Sequence, residues 1–154
     1  MAITKVLFPF NFTGYDRKAM DFIIHTFSPL KDHEITLFHA YTPLPKVDGS
    51  QGTVMERLDA NLNYLSQKLK EKELILKSAR LNLLENGFSE NQVRYLFKPR
   101  AKDTASEIID LALTGHFHIL VLNRKPGKIT RLFTGSVLNK VASDLSNITI
   151  CLVT

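Results

Sequence analysis

The densest chemistry in this sequence lies in a basic loop, Asn123-Arg124-Lys125-Pro126-Gly127-Lys128, which runs on through Arg131 to Thr134-Gly135-Ser136-Val137. A Gly-Ser pair opening a helix offers unbonded backbone N–H groups and the positive end of the helix dipole, which suits an anion such as phosphate. Arg124, Lys125, Lys128 and Arg131 add positive field. A serine cap inside a solvated basic loop gives the same pattern. The other reactive side chains stand alone. His116 and His118 flank Phe117 at a spacing two metal ligands could use, but with no third ligand evident they read as a turn histidine and a strand histidine. His39 is a polar strand residue placed to touch a ligand, or a half-buried histidine. Cys151, the sole cysteine, sits in an apolar run without a basic neighbour and reads as an inert thiol. No Gly-x-Ser-x-Gly elbow, Walker lysine loop or GxGxxG is present.

A regular alternation of elements positions these residues. Short apolar runs at Lys5–Phe10, Ile35–Ala40, Val93–Phe97, His118–Leu122 and Ile148–Val153 have strand composition. Between them lie a helix capped by Thr13 or Asp16 and running to Phe27, and a long helical stretch over Val54–Asn86. A third helix runs to about Leu113 behind a Thr104/Glu107 capping box, and a fourth runs from Gly135 and Ser136 to about Leu145. In the long stretch Leu58, Leu62, Leu65, Leu69, Leu76, Ala79 and Leu83 keep to one face, which the Lys70–Glu73 charge run interrupts. Its length approaches about 50 Å, so a kink or break is expected near those charges. Gly87 is placed to cap it. Strict alternation requires crossovers, hence a mostly parallel, doubly wound sheet with helices on both faces. Ligands of such sheets sit beyond the carboxyl ends of the strands, here Phe10–Thr13, Ala40–Pro43, Lys98–Lys102 and Asn123–Gly127.

Composition narrows the classes. With 154 residues, 44% apolar and 23% charged, the chain is expected to form one globular domain over 1–154. Its apolar runs are too short for a membrane span, and the start lacks the features of a signal peptide. The balance of 20 Lys+Arg against 15 Asp+Glu, net +5, is compatible with anionic ligands. One cysteine excludes an internal disulfide and fits a reducing, cytoplasmic setting. Arg94–Arg100 interleaves basic residues with Tyr95 and Phe97 but reads as a strand, so nucleic acid is not an expected partner.

Val6-Leu7-Phe8-Pro9-Phe10-Asn11-Phe12-Thr13 resembles the first strand and turn of the universal stress protein family. Ile35–Ala40 with its following prolines, and Ile119–Arg124, Gly135-Ser136-Val137 and Ile148–Val153, are similar to that family's second strand and carboxyl-terminal third. The resemblance implies a five-stranded sheet of order 3-2-1-4-5, adenine-nucleotide alpha hydrolase-like. It also implies a cytoplasmic stress-response protein, dimeric through the Ile148–Val153 edge strand; because the sequence offers a crevice without an identifiable base, nucleophile or metal set, no enzymatic activity is expected. ATP or another adenine nucleotide is the implied ligand. Carried over, the family's nucleotide contacts fall on Phe10, Asn11, Thr13, Ala40, Asn123, Lys125, Gly127, Gly135, Ser136 and Val137. Two departures stand out. Asn123 replaces the first glycine of the phosphate loop while the second falls at or beside Pro126, and Asn11 replaces the ribose-side aspartate. Pro126 removes an N–H donor, and Asn11 offers only a neutral hydrogen bond. Three readings follow: a binding module with a degenerate crevice that recruits a partner, an ATP-binding module, and a weak nucleotide hydrolase.

Overall fold

Val6, Leu7 and Phe8 are fully buried, so the strand that carries them lies at the middle of its sheet with both faces covered. The computed structural model describes residues 2–45, 53–124 and 133–154. Its elements are β1 (Thr4–Pro9), α1 (Tyr15–Phe27), β2 (His33–Tyr41), α2 (Thr53–Glu85), a 3-10 turn (Glu90–Gln92), β3 (Val93–Pro99), α3 (Thr104–Thr114), β4 (Ile119–Asn123), α4 (Phe133–Asp144) and β5 (Thr149–Val153). The strands form one sheet in the order β3-β2-β1-β4-β5. Every pairing is parallel: Val6 lies opposite Ile35 of β2 and Ile119 of β4, and Ile35 lies opposite Val93 of β3. The strand alternation splits β1 between two cores. Val6 and Phe8 join Ala19, Met20, Ile23 and Phe27 of α1 and Leu76 and Leu83 of α2. Leu7 joins Ala105, Ile108 and Ala112 of α3 and Val137 and Val141 of α4.

The helix ends depart from the sequence expectation. α1 is capped neither by Thr13 nor by Asp16: Gly14 stands at the N-cap without a side-chain bond, and Asp16 lies in the first turn, buried. For α3 the expected Thr104/Glu107 box is replaced by an Asp103 cap, whose side chain accepts from Ser106 N at 2.9 Å. Those bonds hold the exposed Asp103 carboxyl at about 2. Glu107 reaches further back and accepts from Ala101 N (2.7 Å) and Lys102 N (3.0 Å), so it fixes the loop between β3 and α3. α4 starts at Phe133, so Gly135 and Ser136 fall inside its first turn rather than at its start. The break expected in the long helix is absent: α2 is one helix of 33 residues. The charges that suggested a break meet the rim of the sheet. Lys72 Nζ lies 5.7 Å from the Phe12 ring centre, and Tyr95 donates from its hydroxyl to Glu73 at 3.2 Å. Gly87 ends the segment at φ +107, with its N–H on Leu84 O and that of Phe88 on Leu83 O.

Candidate functional site

The carboxyl ends of β1 and β4 meet where the order of strands reverses, and one carboxylate organises that junction. Past Pro9 the chain folds around Asp16, which is only 3% exposed. Asp16 accepts from Asn11 N (3.1 Å), Thr13 N (2.9 Å) and Asn123 Nδ2 (2.6 Å). Asn11 Nδ2 in turn donates to Asn123 Oδ1 at 2.9 Å. A buried carboxylate holding three donors needs no cation beside it. The turn it enforces puts Phe12 at φ 60, the left-handed region that a bulky residue rarely enters. Packing holds Phe12 there: its ring stands edge-on to Phe10 (5.1 Å between ring centres) and to His39 (4.6 Å). His39 Nδ1–H donates to Phe10 O at 2.8 Å. Burial holds the His39 imidazole below its usual range.

Three spaces border this junction: a broad groove of about 750 Å³ between α1 and α2, which Thr13 and Asp16 help to line, and two that share Pro9, Asn11 and Ile108. The larger of these two, about 270 Å³, is lined by Phe10, Asn11, Thr13, His39, Ala40 and Thr104 among others. The smaller is walled by Asn11, Leu122, Asn123, Val137, Leu138 and Leu152 and holds about 20 Å³, room for about one water. Of the residues read from the sequence, the structure thus brings Phe10, Asn11, Thr13 and Ala40 into one cleft, and Asn123 and Val137 into the adjoining cavity. Lys125 and Gly127, with Pro126, Lys128 and Arg131, lie outside the described residues. Arg124 is described, and its Nε is buried without a partner among the described residues.

Sequence reasoning missed Asp16 as the hub, having assigned it to capping. Its signal was an acidic residue five positions past Asn11 at the start of a helix, beside a strand end rich in backbone donors. The histidine pair separates: His118 Nδ1 accepts from Lys5 N at 3.0 Å, so that nitrogen joins β4 to β1. Among the described residues no three His, Cys, Asp or Glu side chains gather as a metal site. Burial pushes the Cys151 thiol up, away from the thiolate a nucleophile needs.

A parallel sheet of order 3-2-1-4-5 with a crevice at its switch point is the adenine-nucleotide alpha hydrolase-like architecture. More narrowly, the chain has the fold of universal stress proteins. It superimposes on the universal stress protein of Archaeoglobus fulgidus in complex with dAMP with a TM-score of 0.65 at 13% identity, over 100% of both chains. UspA from Lactobacillus plantarum matches with a TM-score of 0.66 at 12% identity, over 100% of this chain and 99% of the other. A universal stress protein family member from Arabidopsis thaliana with AMP bound matches at 0.56 and 14% identity, over 98% and 92%. No protein-family model and no curated protein matches the sequence.

Proposed function

We propose that this chain is a member of the universal stress protein family that serves as a cytoplasmic, dimeric binding and regulatory module rather than an enzyme. In this reading its crevice accepts an adenine nucleoside or nucleoside monophosphate without gripping a triphosphate. The observation that carries the proposal is the contrast between the two adjoining spaces. The 270 Å³ cleft lies at the lower edge of the roughly 300–1,000 Å³ that small-molecule sites span. The cavity beside Val137 and Leu138 holds about 20 Å³, which among the described residues is too little for a phosphate group. The Asn11–Asn123 bond takes one Nδ2 proton of Asn11, and the Oδ1 of Asn11, unbonded among the described residues, is an acceptor for a ribose hydroxyl. The dAMP and AMP in the two similar structures are ligands of that size. Dimerisation is assigned to β5, which ends the sheet and leaves one side of its backbone for another strand.

Calorimetric titration with adenosine, AMP and ATP–Mg²⁺ tests the ligand. AMP and ATP are expected to bind within about threefold of each other, with Kd near 0.1 mM, about −5.5 kcal/mol. Ala40→Leu, which fills the cleft, is expected to remove the AMP signal while thermal unfolding stays cooperative. A preference for ATP of about tenfold or more, worth about 1.4 kcal/mol, would overturn the reading, and so would the absence of heat with all three ligands.

A further inference from the structure

The turn from Phe10 to Thr13 borders two of the spaces at the junction, since Phe10 and Thr13 line both the cleft and the broad groove. Its backbone is strained at Phe12, which stands at φ 60 and keeps that conformation only because its surroundings hold it. Asp16 holds the N–H groups of Asn11 and Thr13. The carbonyl side is held from a neighbouring strand. His39 of β2 donates from Nδ1 to Phe10 O at 2.8 Å, and its ring stands edge-on to Phe12, 4.6 Å between centres. The same ring stacks on Phe97 of β3, 6.0 Å away at 20°. Phe12 and Phe97 both pack on the core beneath α1 and α2, so the half-buried imidazole lies among aromatic rings.

We infer that His39 is a positioning residue for the cleft, holding the Phe10–Thr13 turn in place while its ring is neutral and releasing the turn when the ring takes up a proton. For its ligand this rests on the reading of the cleft as a nucleoside site; for the turn it does not. The direction follows from what surrounds the ring. Burial disfavours the charged form most, and the bond to Phe10 O favours it. Lys72 of α2 and Arg100 beyond β3 oppose the charge, whereas Asp16 of α1 supports it, and these are the charged groups facing the ring among the described residues. Burial prevails and holds the imidazole below its usual range. A protonated ring regains its hydration by turning out to water. That movement breaks the bond to Phe10 O and removes one of the two aromatic contacts that hold Phe12. Phe12 then relaxes from its strained backbone, and Asn11 and Thr13, which line the cleft, move with it. The contribution of the neutral ring is complete above the ordinary histidine pKa and is lost as pH falls through the lowered one.

Adenosine is the probe, because it carries no phosphate that titrates in the same range. Its affinity for the wild-type chain should fall about threefold or more between about pH 8 and about pH 5.5. In His39→Phe, which keeps a ring beside Phe12 and takes up no proton, and in His39→Asn, which keeps an N–H donor and does not titrate, the affinity should not follow pH. Hydrogen exchange without ligand reads the turn itself. The protection factors of the Asn11 and Thr13 amides should drop over the same interval in the wild-type chain and stay level in both variants. Protection that is independent of pH in the wild-type chain overturns the inference, and so does an equal drop in His39→Phe. A drop in protection that leaves adenosine affinity unchanged overturns it too, because the turn would then not position the cleft. Adenosine that fails to bind at either pH removes the nucleoside reading instead, and the protection factors still decide the role of His39 in the turn.

Discussion

Asp16 is an anionic group taken out of water, and what makes that tolerable is the number of donors aimed at it. Asn11 N, Thr13 N and Asn123 Nδ2 all lie within 3.1 Å of its oxygens. Hydrogen bonds to a charged group contribute about 1.5–3 kcal/mol, and stranding their buried partners costs more than the bonds alone suggest. Asp16→Ala is therefore expected to destabilise the fold by about 2–4 kcal/mol, seen as a lower urea midpoint with an unchanged slope. A loss below about 1 kcal/mol would mean that aromatic packing around Phe12, not the carboxylate, holds the turn. Asn11 and Asn123 were legible in the sequence as substitutions at two separate family positions. Their bond to each other was not, because 112 residues separate them and only the parallel pairing of β1 with β4 brings them together.

The alternation of helices and strands was legible because burial on both faces of a parallel sheet leaves apolar runs that differ in period from helical stripes. Helix starts were less so, since several polar residues compete for one cap. Thr13, Asp16, Thr104 and Glu107 all had the right chemistry, yet Asp103 and Gly14 took the positions. Tertiary demand decided the matter: Asp16 and Glu107 were drawn back to loop amides at the rim of the sheet. The end of α2 was read correctly from Gly87, and the reason can be separated from simple crowding. A Cβ added at Gly87 would meet Ser28 Cβ at 3.8 Å, an ordinary contact, so only the φ of +107 resists substitution. Gly87→Ala is expected to cost about 1–2 kcal/mol in urea unfolding. Gly14→Ala, at φ −60 with nothing within 4 Å of the added atom, should change stability by no more than about 0.5 kcal/mol. Equal losses at both glycines would show that the left-handed backbone is not the cause.

The proposed dimer pairs through β5, the strand that ends the sheet. Thr149 N donates to His118 O, and Val153 O accepts from Arg124 N. In a parallel ladder alternate residues turn both backbone groups to the same side, so Ile150 and Leu152 direct theirs to the open edge of the sheet. Leu152→Pro removes an N–H from that open edge while the ladder to β4 keeps its donors. Leu152→Pro is therefore expected to halve the sedimenting mass, leaving a monomer that still unfolds cooperatively. A Leu152→Pro chain of wild-type mass would remove β5 from the assembly.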